Sequence, residues 1–245
     1  MTSRREFLGG GLGLSAIIAS GESPAIVRSM VAARQSIAAG RLLPYLKRLE
    51  YIESTGTQWI APDCIFKPSS RLMIDFSFTR AVNQQRIIGY NQSNGKARID
   101  LYNSQAAAKV SYDFGNHQNS GNVTLTNYTT ERIRFDLNEK TKVINYSVGA
   151  AAYRVSVSSK SILTQTDTEP NFTIGYCITT NGTPSSNSKP YAKFYGFRFW
   201  EDADGVLVRD LIPVIDLDGE AKMFDRVTQS YPTHYGSFIA GSATT

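Results

Sequence analysis

The chain has 245 residues, with 26 Lys and Arg against 21 Asp and Glu, for a formal net charge of +5. That length suits one sandwich-sized domain with a sizeable core plus an N-terminal extension, and it is too short for two such domains. The basic residues are spread along the chain and do not interleave with aromatics as a nucleic-acid groove requires, which argues against a nucleic-acid partner.

The chain opens on Ser3-Arg4-Arg5-Glu6-Phe7-Leu8, an arginine pair followed by a Gly- and Ala-rich apolar run from Gly9 to Ser20 and a small-residue site around Ser23-Pro24-Ala25. Basic, then apolar, then small is the order of a twin-arginine export signal, so residues 1–25 are read as a signal segment carried by Arg4 and Arg5. The apolar run is shorter than the roughly 20 residues that span a bilayer. The expected destination is therefore the periplasm, the cell surface or the medium; if the arginine pair is fortuitous, the alternative is a virion. Residues 26–48 read as a helical linker or attachment segment. Ser23-Pro24 forms an N-cap with Pro at the first helical position, Ile26, Met30, Ala33 and Ile37 recur at helical spacing, and Gly40 ends the run. Cleavage at Ala25 would remove that cap, so the two readings compete. The densest basic stretch, Arg28, Arg34, Arg41, Lys47 and Arg48, also falls here, as a solvated helix face or a contact to an anionic surface.

From Leu49 the pattern changes to strands. Arg71 to Thr79 alternates, with Leu72, Ile74, Phe76 and Phe78 on one face and Arg71, Met73, Asp75 and Ser77 on the other. Similar runs follow at 86–90, 97–102, 109–114, 132–137, 142–148, 153–157, 172–176, 194–200, 206–215 and 221–225. Asn94-Gly95, Val148-Gly149, Asp204-Gly205 and Asp218-Gly219 punctuate them as turns. Many short strands without a long helical period predict an all-β, two-sheet antiparallel sandwich over residues 49–245, behind a short N-terminal helical extension.

Two stretches carry a family signature. Leu49-Glu50-Tyr51-Ile52-Glu53-Ser54-Thr55-Gly56-Thr57-Gln58-Trp59-Ile60 is answered by Lys193-Phe194-Tyr195-Gly196-Phe197-Arg198-Phe199-Trp200 and Val208-Arg209-Asp210-Leu211-Ile212-Pro213-Val214. Together they resemble the concanavalin A-like lectin/glucanase superfamily, in the laminin-G-like branch found in bacterial surface proteins and in phage and prophage particles. The resemblance runs from about Leu49 to about Gly241 and is specific at its two ends. It implies a jelly roll whose first and last strands pair. It also implies a non-catalytic carbohydrate-binding or adhesion module whose partner is a glycan or cell-surface polysaccharide. The alternative is a structural or receptor-binding component of a phage or surface assembly, including a homo-oligomer. Trp59 and Trp200, inside the end motifs, are expected in the core.

Glycoside hydrolysis is the third possibility the superfamily raises, and the residues do not support it. Its glucanases set two carboxylates about 5 Å apart through a Glu-x-Asp-x-x-Glu strand, which is missing here. The nearest cluster, Glu201-Asp202-Ala203-Asp204-Gly205, reads as a hairpin, and Asp75 stands alone on its strand. His117 and His234 belong to no HExxH motif, and there is no GxSxG or paired CxxC. A sugar site needs aromatic rings for stacking beside Asn, Asp, Gln or His for the hydroxyls. Three stretches supply that mixture: Tyr90 and Asn91; Tyr112, Asp113, His117 and Asn119; and Tyr176 and Asn181. Hydrophilic connections rich in turn residues would look the same. No cofactor or metal is expected, because the acidic pairs at 202–205 and 216–220 coincide with Asp-Gly turns; calcium is the alternative occupant. Cys64 and Cys177 suit either a disulfide across the sandwich after export or buried thiols.

Overall fold

The structure is a computed structural model that describes residues 44–67, 69–80, 82, 85–91, 98–103, 109–114, 121–124, 131–141, 143–156, 172–175, 178–179 and 190–244. The expected export signal and the helix from Ser23 to Gly40 lie outside the described residues, as do His117, Asn119, Tyr176, Cys177 and Asn181. Among the described residues there is no helix. The strands are, in order, β1 (Lys47–Arg48), β2 (Ile52–Thr55), β3 (Trp59–Ala61), β4 (Arg71–Phe78), β5 (Arg86–Asn91), β6 (Arg98–Asn103), β7 (Lys109–Phe114), β8 (Gly121–Thr124) and β9 (Ile133–Asn138). They continue with β10 (Val143–Val148), β11 (Ala151–Ser156), β12 (Thr173–Ile174), β13 (Ile178–Thr179), β14 (Tyr191–Trp200), β15 (Leu207–Ile215), β16 (Ala221–Asp225), β17 (Thr233–Tyr235) and β18 (Ile239–Ala240).

Among the described residues these strands form two sheets. The larger has ten strands with the path β1-β15-β14-β4-β9-β10-β11, to which β16 adds beside β15, β2 beside the N-terminal half of β14, and β18 beside β2. The smaller has eight, with the path β17-β3-β12-β5-β6-β7-β8 and β13 beside β5. The pairing is antiparallel except between β13 and β5. Alternation puts Leu72, Ile74, Phe76 and Phe78 of β4, Ile133, Phe135 and Leu137 of β9, and Phe197 and Phe199 of β14 into one buried face. Ile60, Ile88 and Ile174 of the smaller sheet close onto the same core. Phe172, just ahead of β12, bridges the layers, with ring centroids 5.9 Å from Phe197 and 5.6 Å from Phe199. This is a two-sheet antiparallel jelly-roll sandwich, as the alternation and the family resemblance led one to expect.

The two signature stretches meet in space. Ile52 to Thr55 pair with Phe194 to Tyr191, Glu53 pairs again with Ile239, and Trp59 to Ala61 pair with Tyr235 to Thr233. Four features differ from the sequence reading. Lys47–Arg48, read as the end of the linker, is a strand paired with Val214 and Ile215, and Tyr45 packs on Phe224 with centroids 5.3 Å apart. The apolar content of β15 and β16 makes this segment part of the domain. Trp59 and Trp200 are only half-buried and lie on outer faces, Trp59 stacked on Tyr235 at 3.6 Å and Trp200 beneath the Arg71 guanidinium at 4.9 Å. Their neighbours Ile60 and Phe199 take the inward positions. Asp75 and Ser77, assigned to the polar face of β4, are themselves buried. Finally, Gly149 and Gly219 take positive φ at their turns, but Gly205 does not.

Candidate functional site

The outer face of the larger sheet carries a cleft of about 370 Å³ lined by Arg48, Met73, Asp75, Arg132, Arg134, Tyr195, Gly196, Arg198, Asp210 and Arg226, among others. Its floor follows from strand register. Gly196, Asp75, Arg134, Ser147 and Ala152 are successive cross-strand partners from β14 to β11. Beside that row runs a second, Asp210, Arg198, Met73, Asp136, Asn145 and Arg154, from β15 to β11. Directly opposed residues share a face, so both rows point away from the core. Gly196, Ser147 and Ala152 are small and leave the first row low. A shallower depression of about 380 Å³ over β9 to β11, lined by Arg134, Asp136, Asn145, Tyr146, Ser147, Ala152, Tyr153 and Arg154, shares Arg134 with the cleft.

Charge is layered within this face. Asp75 lies at the bottom with its side chain 11% exposed and accepts from Nε and Nη2 of both Arg132 and Arg134, the closest contact being Arg134 Nη2 at 2.7 Å. Asp210, 9% exposed, accepts from Arg198 Nε at 3.2 Å and from Nε and Nη2 of Arg226. The arginine side chains above them are 44–55% exposed. Burial alone would raise the Asp75 pKa, but the hydrogen bonds and charges of Arg132 and Arg134 outweigh it and hold the carboxyl below its usual range. The hydrogen bond to Asp75 in turn raises the Arg132 pKa against burial. The carboxylates thus orient the arginines, and each planar fork keeps donors for something outside. Arg48 and Arg154 make no ion pair among the described residues. Across cleft and depression, six arginines (48, 132, 134, 154, 198, 226) stand against three aspartates (75, 136, 210). Tyr195, displaced outward at a β-bulge in β14, forms the aromatic end wall: Arg132 lies 4.2 Å above its ring, Tyr51 packs edge-on at 5.6 Å, and its Oη meets Ser77 Oγ at 3.2 Å.

Of the residues named from sequence as sugar ligands, the four that are described lie on strands of the smaller sheet. Tyr90 and Asn91 are the last residues of β5, while Tyr112 and Asp113 sit in the body of β7, where the β7–β8 pairing continues through Tyr112↔Gly121. Backbone register does bring those strands together: Asn91 pairs with Arg98 and Thr179, and Ile99 with Phe114, so β5, β7 and β13 all finish at one end of the smaller sheet. The cleft was missed because its arginines come from three separate strands and two positions flanking strands; the one local signal was Arg132-Ile133-Arg134, an arginine pair two residues apart. Both Asp-Gly turns hold a lysine. Lys140 Nζ is 2.6 Å from Asp204 and 3.5 Å from Asp202. Lys222 Nζ is 2.7 Å from Asp216 and 2.8 Å from Glu220, and the Asp216 Oδ1 accepts from the Asp218 and Glu220 amides. Among the described residues no group of three or more His, Cys, Asp or Glu is placed to hold a metal. Cys64 is a buried free thiol whose pKa burial pushes far up.

No protein-family model matches the sequence, and no curated protein matches it. Solved structures do. A candidate carbohydrate-binding protein from Bacteroides ovatus aligns with a TM-score of 0.54 at 12% identity, over 81% of this chain and 62% of that one. The likeness is one of fold, a two-sheet antiparallel jelly roll. Two further structures align with lower scores. The CBM40 module of a Ruminococcus gnavus sialidase, bound to α2,3-sialyllactose, aligns at TM-score 0.46 and 13% identity over 62% of this chain and 90% of the module. Domains LG4-5 of the mouse laminin α1 chain align at TM-score 0.47 and 8% identity over 81% of this chain and 48% of those domains. This jelly roll therefore spans less than two thirds of the Bacteroides ovatus protein.

Proposed function

We propose that this jelly roll is a non-catalytic carbohydrate-binding module whose ligand sits in the cleft on the outer face of the larger sheet. The observation that carries the reading is the cleft itself, an open cavity with an aromatic end wall and a set of oriented guanidinium donors, the mixture that sugar hydroxyls and ring faces call for. The resemblance of the end motifs to lectin-type domains points the same way. The cleft does contain two carboxylates, but both are acceptors for paired arginines, and Asp75 is held ionised. A glycosidase needs one carboxyl with a raised pKa to protonate the leaving oxygen, so this pair suits positioning of arginines better than acid catalysis.

The test is a glycan array probed with the whole chain and three variants, Arg198→Ala, Asn91→Ala and Tyr112→Ala. Binding that is lost in Arg198→Ala and kept in the other two supports the cleft. Loss only in Asn91→Ala or Tyr112→Ala would move the site to the end of the smaller sheet where β5, β7 and β13 converge, which is the second reading. Export is proposed on the Arg4-Arg5 motif, and a virion component is its alternative. Fractionation of a host expressing the chain with Arg4→Lys and Arg5→Lys together tests it, cytoplasmic retention of that variant alone being the supporting result.

A further inference from the structure

We infer that the ligand is an extended acidic polysaccharide, a chain bearing carboxylates or sulfates at several successive sugars, lying across the strands from Asp210 to Arg154. This rests on the carbohydrate-binding reading and adds the chemical class, the direction and the extent of the ligand. The argument from shape is the shared Arg134: cleft and depression are two parts of one trough, floored by Gly196 and the small side chains of Ser147 and Ala152. Six strands, β15 to β11, cross it, and at about 4.8 Å between strands the trough is roughly 24 Å long. That exceeds one terminal sugar. The argument from charge is the layering. Carboxylates beneath and half-exposed guanidinium groups above present positive charge along the length, at Arg226 and Arg198 at one end, Arg134 in the middle and Arg154 at the other. Guanidinium forks match carboxylates and sulfates in planar, paired hydrogen bonds, and the buried aspartates fix the forks in advance. A neutral chain would leave this excess charge unanswered.

Calorimetry on the whole chain with size-defined oligogalacturonates, sulfated heparin oligomers and neutral xylo-oligosaccharides of matching length tests the inference. The expected result is that a uronate or heparin hexamer binds at least about tenfold more tightly than its dimer, and more weakly as ionic strength rises. Which of the two acids binds more tightly identifies the anion. Ala152→Tyr fills the far end of the floor with a residue suited to a strand and should bring the hexamer down to the affinity of the dimer. Arg154→Ala, which removes no ion pair made among the described residues, should weaken the hexamer several-fold and the dimer little. Equal binding of neutral and acidic hexamers, abolished by Arg198→Ala, would overturn the acidic class and leave the carbohydrate reading standing. Acidic binding without length dependence, unaffected by Ala152→Tyr, would overturn the extended trough. Polyglutamate or polyphosphate binding as tightly as the uronates would overturn a sugar ligand altogether. Folded protein that binds none of these would overturn the acidic trough, while the glycan array decides the carbohydrate reading separately.

Discussion

His234 shows what a single side chain contributes here. Its Nε2 accepts the Met223 amide at 2.8 Å, so Nδ1 carries the proton and donates to the Pro232 carbonyl at 2.7 Å. That arrangement requires a neutral ring, and burial above all lowers the pKa from 6.5 to about 4. The unfolded chain takes up the proton first as pH falls, so the stability this residue provides is complete above pH 6.5 and is lost on the way down to about pH 4. The loss amounts to about 3 kcal/mol at most. Denaturant melts between these pH values should show the decline, and His234→Gln should flatten it; an equally steep decline in that variant would discredit the assignment. Gly241 is constrained by space. A Cβ there would lie 2.6 Å from the Tyr51 carbonyl oxygen, where the Gly241 amide already donates at 3.0 Å. Gly241→Ala should cost about 1–3 kcal/mol in a chemical melt. In the core, Phe197→Ala should cost about 3–5 kcal/mol, because the ring is buried and contacts Phe172 across the two sheets.

Among the elements, those with a long alternating pattern were legible in the sequence. Lys109–Phe114 and Ala221–Asp225 are strands over the expected residues, β4, β10 and β15 differ from expectation by one residue at an end, and β9 is shifted by one residue. The two- and three-residue strands β13, β17 and β18 were not legible, since a period of two cannot be seen in so few residues. The hairpin between β15 and β16 illustrates why Asp-Gly alone says little about metals. Asp216 uses one oxygen for two backbone amides and the other for Lys222, so an ammonium already stands among the acidic oxygens. The thermal midpoint should therefore be the same in calcium and in chelator, and a rise in calcium would contradict this. Asp216→Ala should lower stability by about 1–2 kcal/mol through the two released amides, measurable by the same melt.

For the whole molecule, sandwich and closure were legible because burial dictates alternation and because the two end motifs had to meet. The trough was not. It depends on which residue of one strand faces which of the next, and a shift of one position would turn Arg134 and Asp75 inward, so the site exists only once register is set by turns and core. Deleting residues 233–245 should abolish cooperative unfolding, since β3 and β2 each lose a partner strand; a truncated chain with an intact thermal transition would show closure to be dispensable. That closure also has a consequence in time. β2 waits for β14 and β18, and β1 for β15, so the first strands to leave the ribosome are completed by some of the last. At about 5–20 residues synthesised per second, the interval between Ile52 and Ile239 is roughly 10–40 s. Through that interval the edge of β2 is open to any other extended chain, and protection during synthesis becomes as much a requirement of this fold as its core.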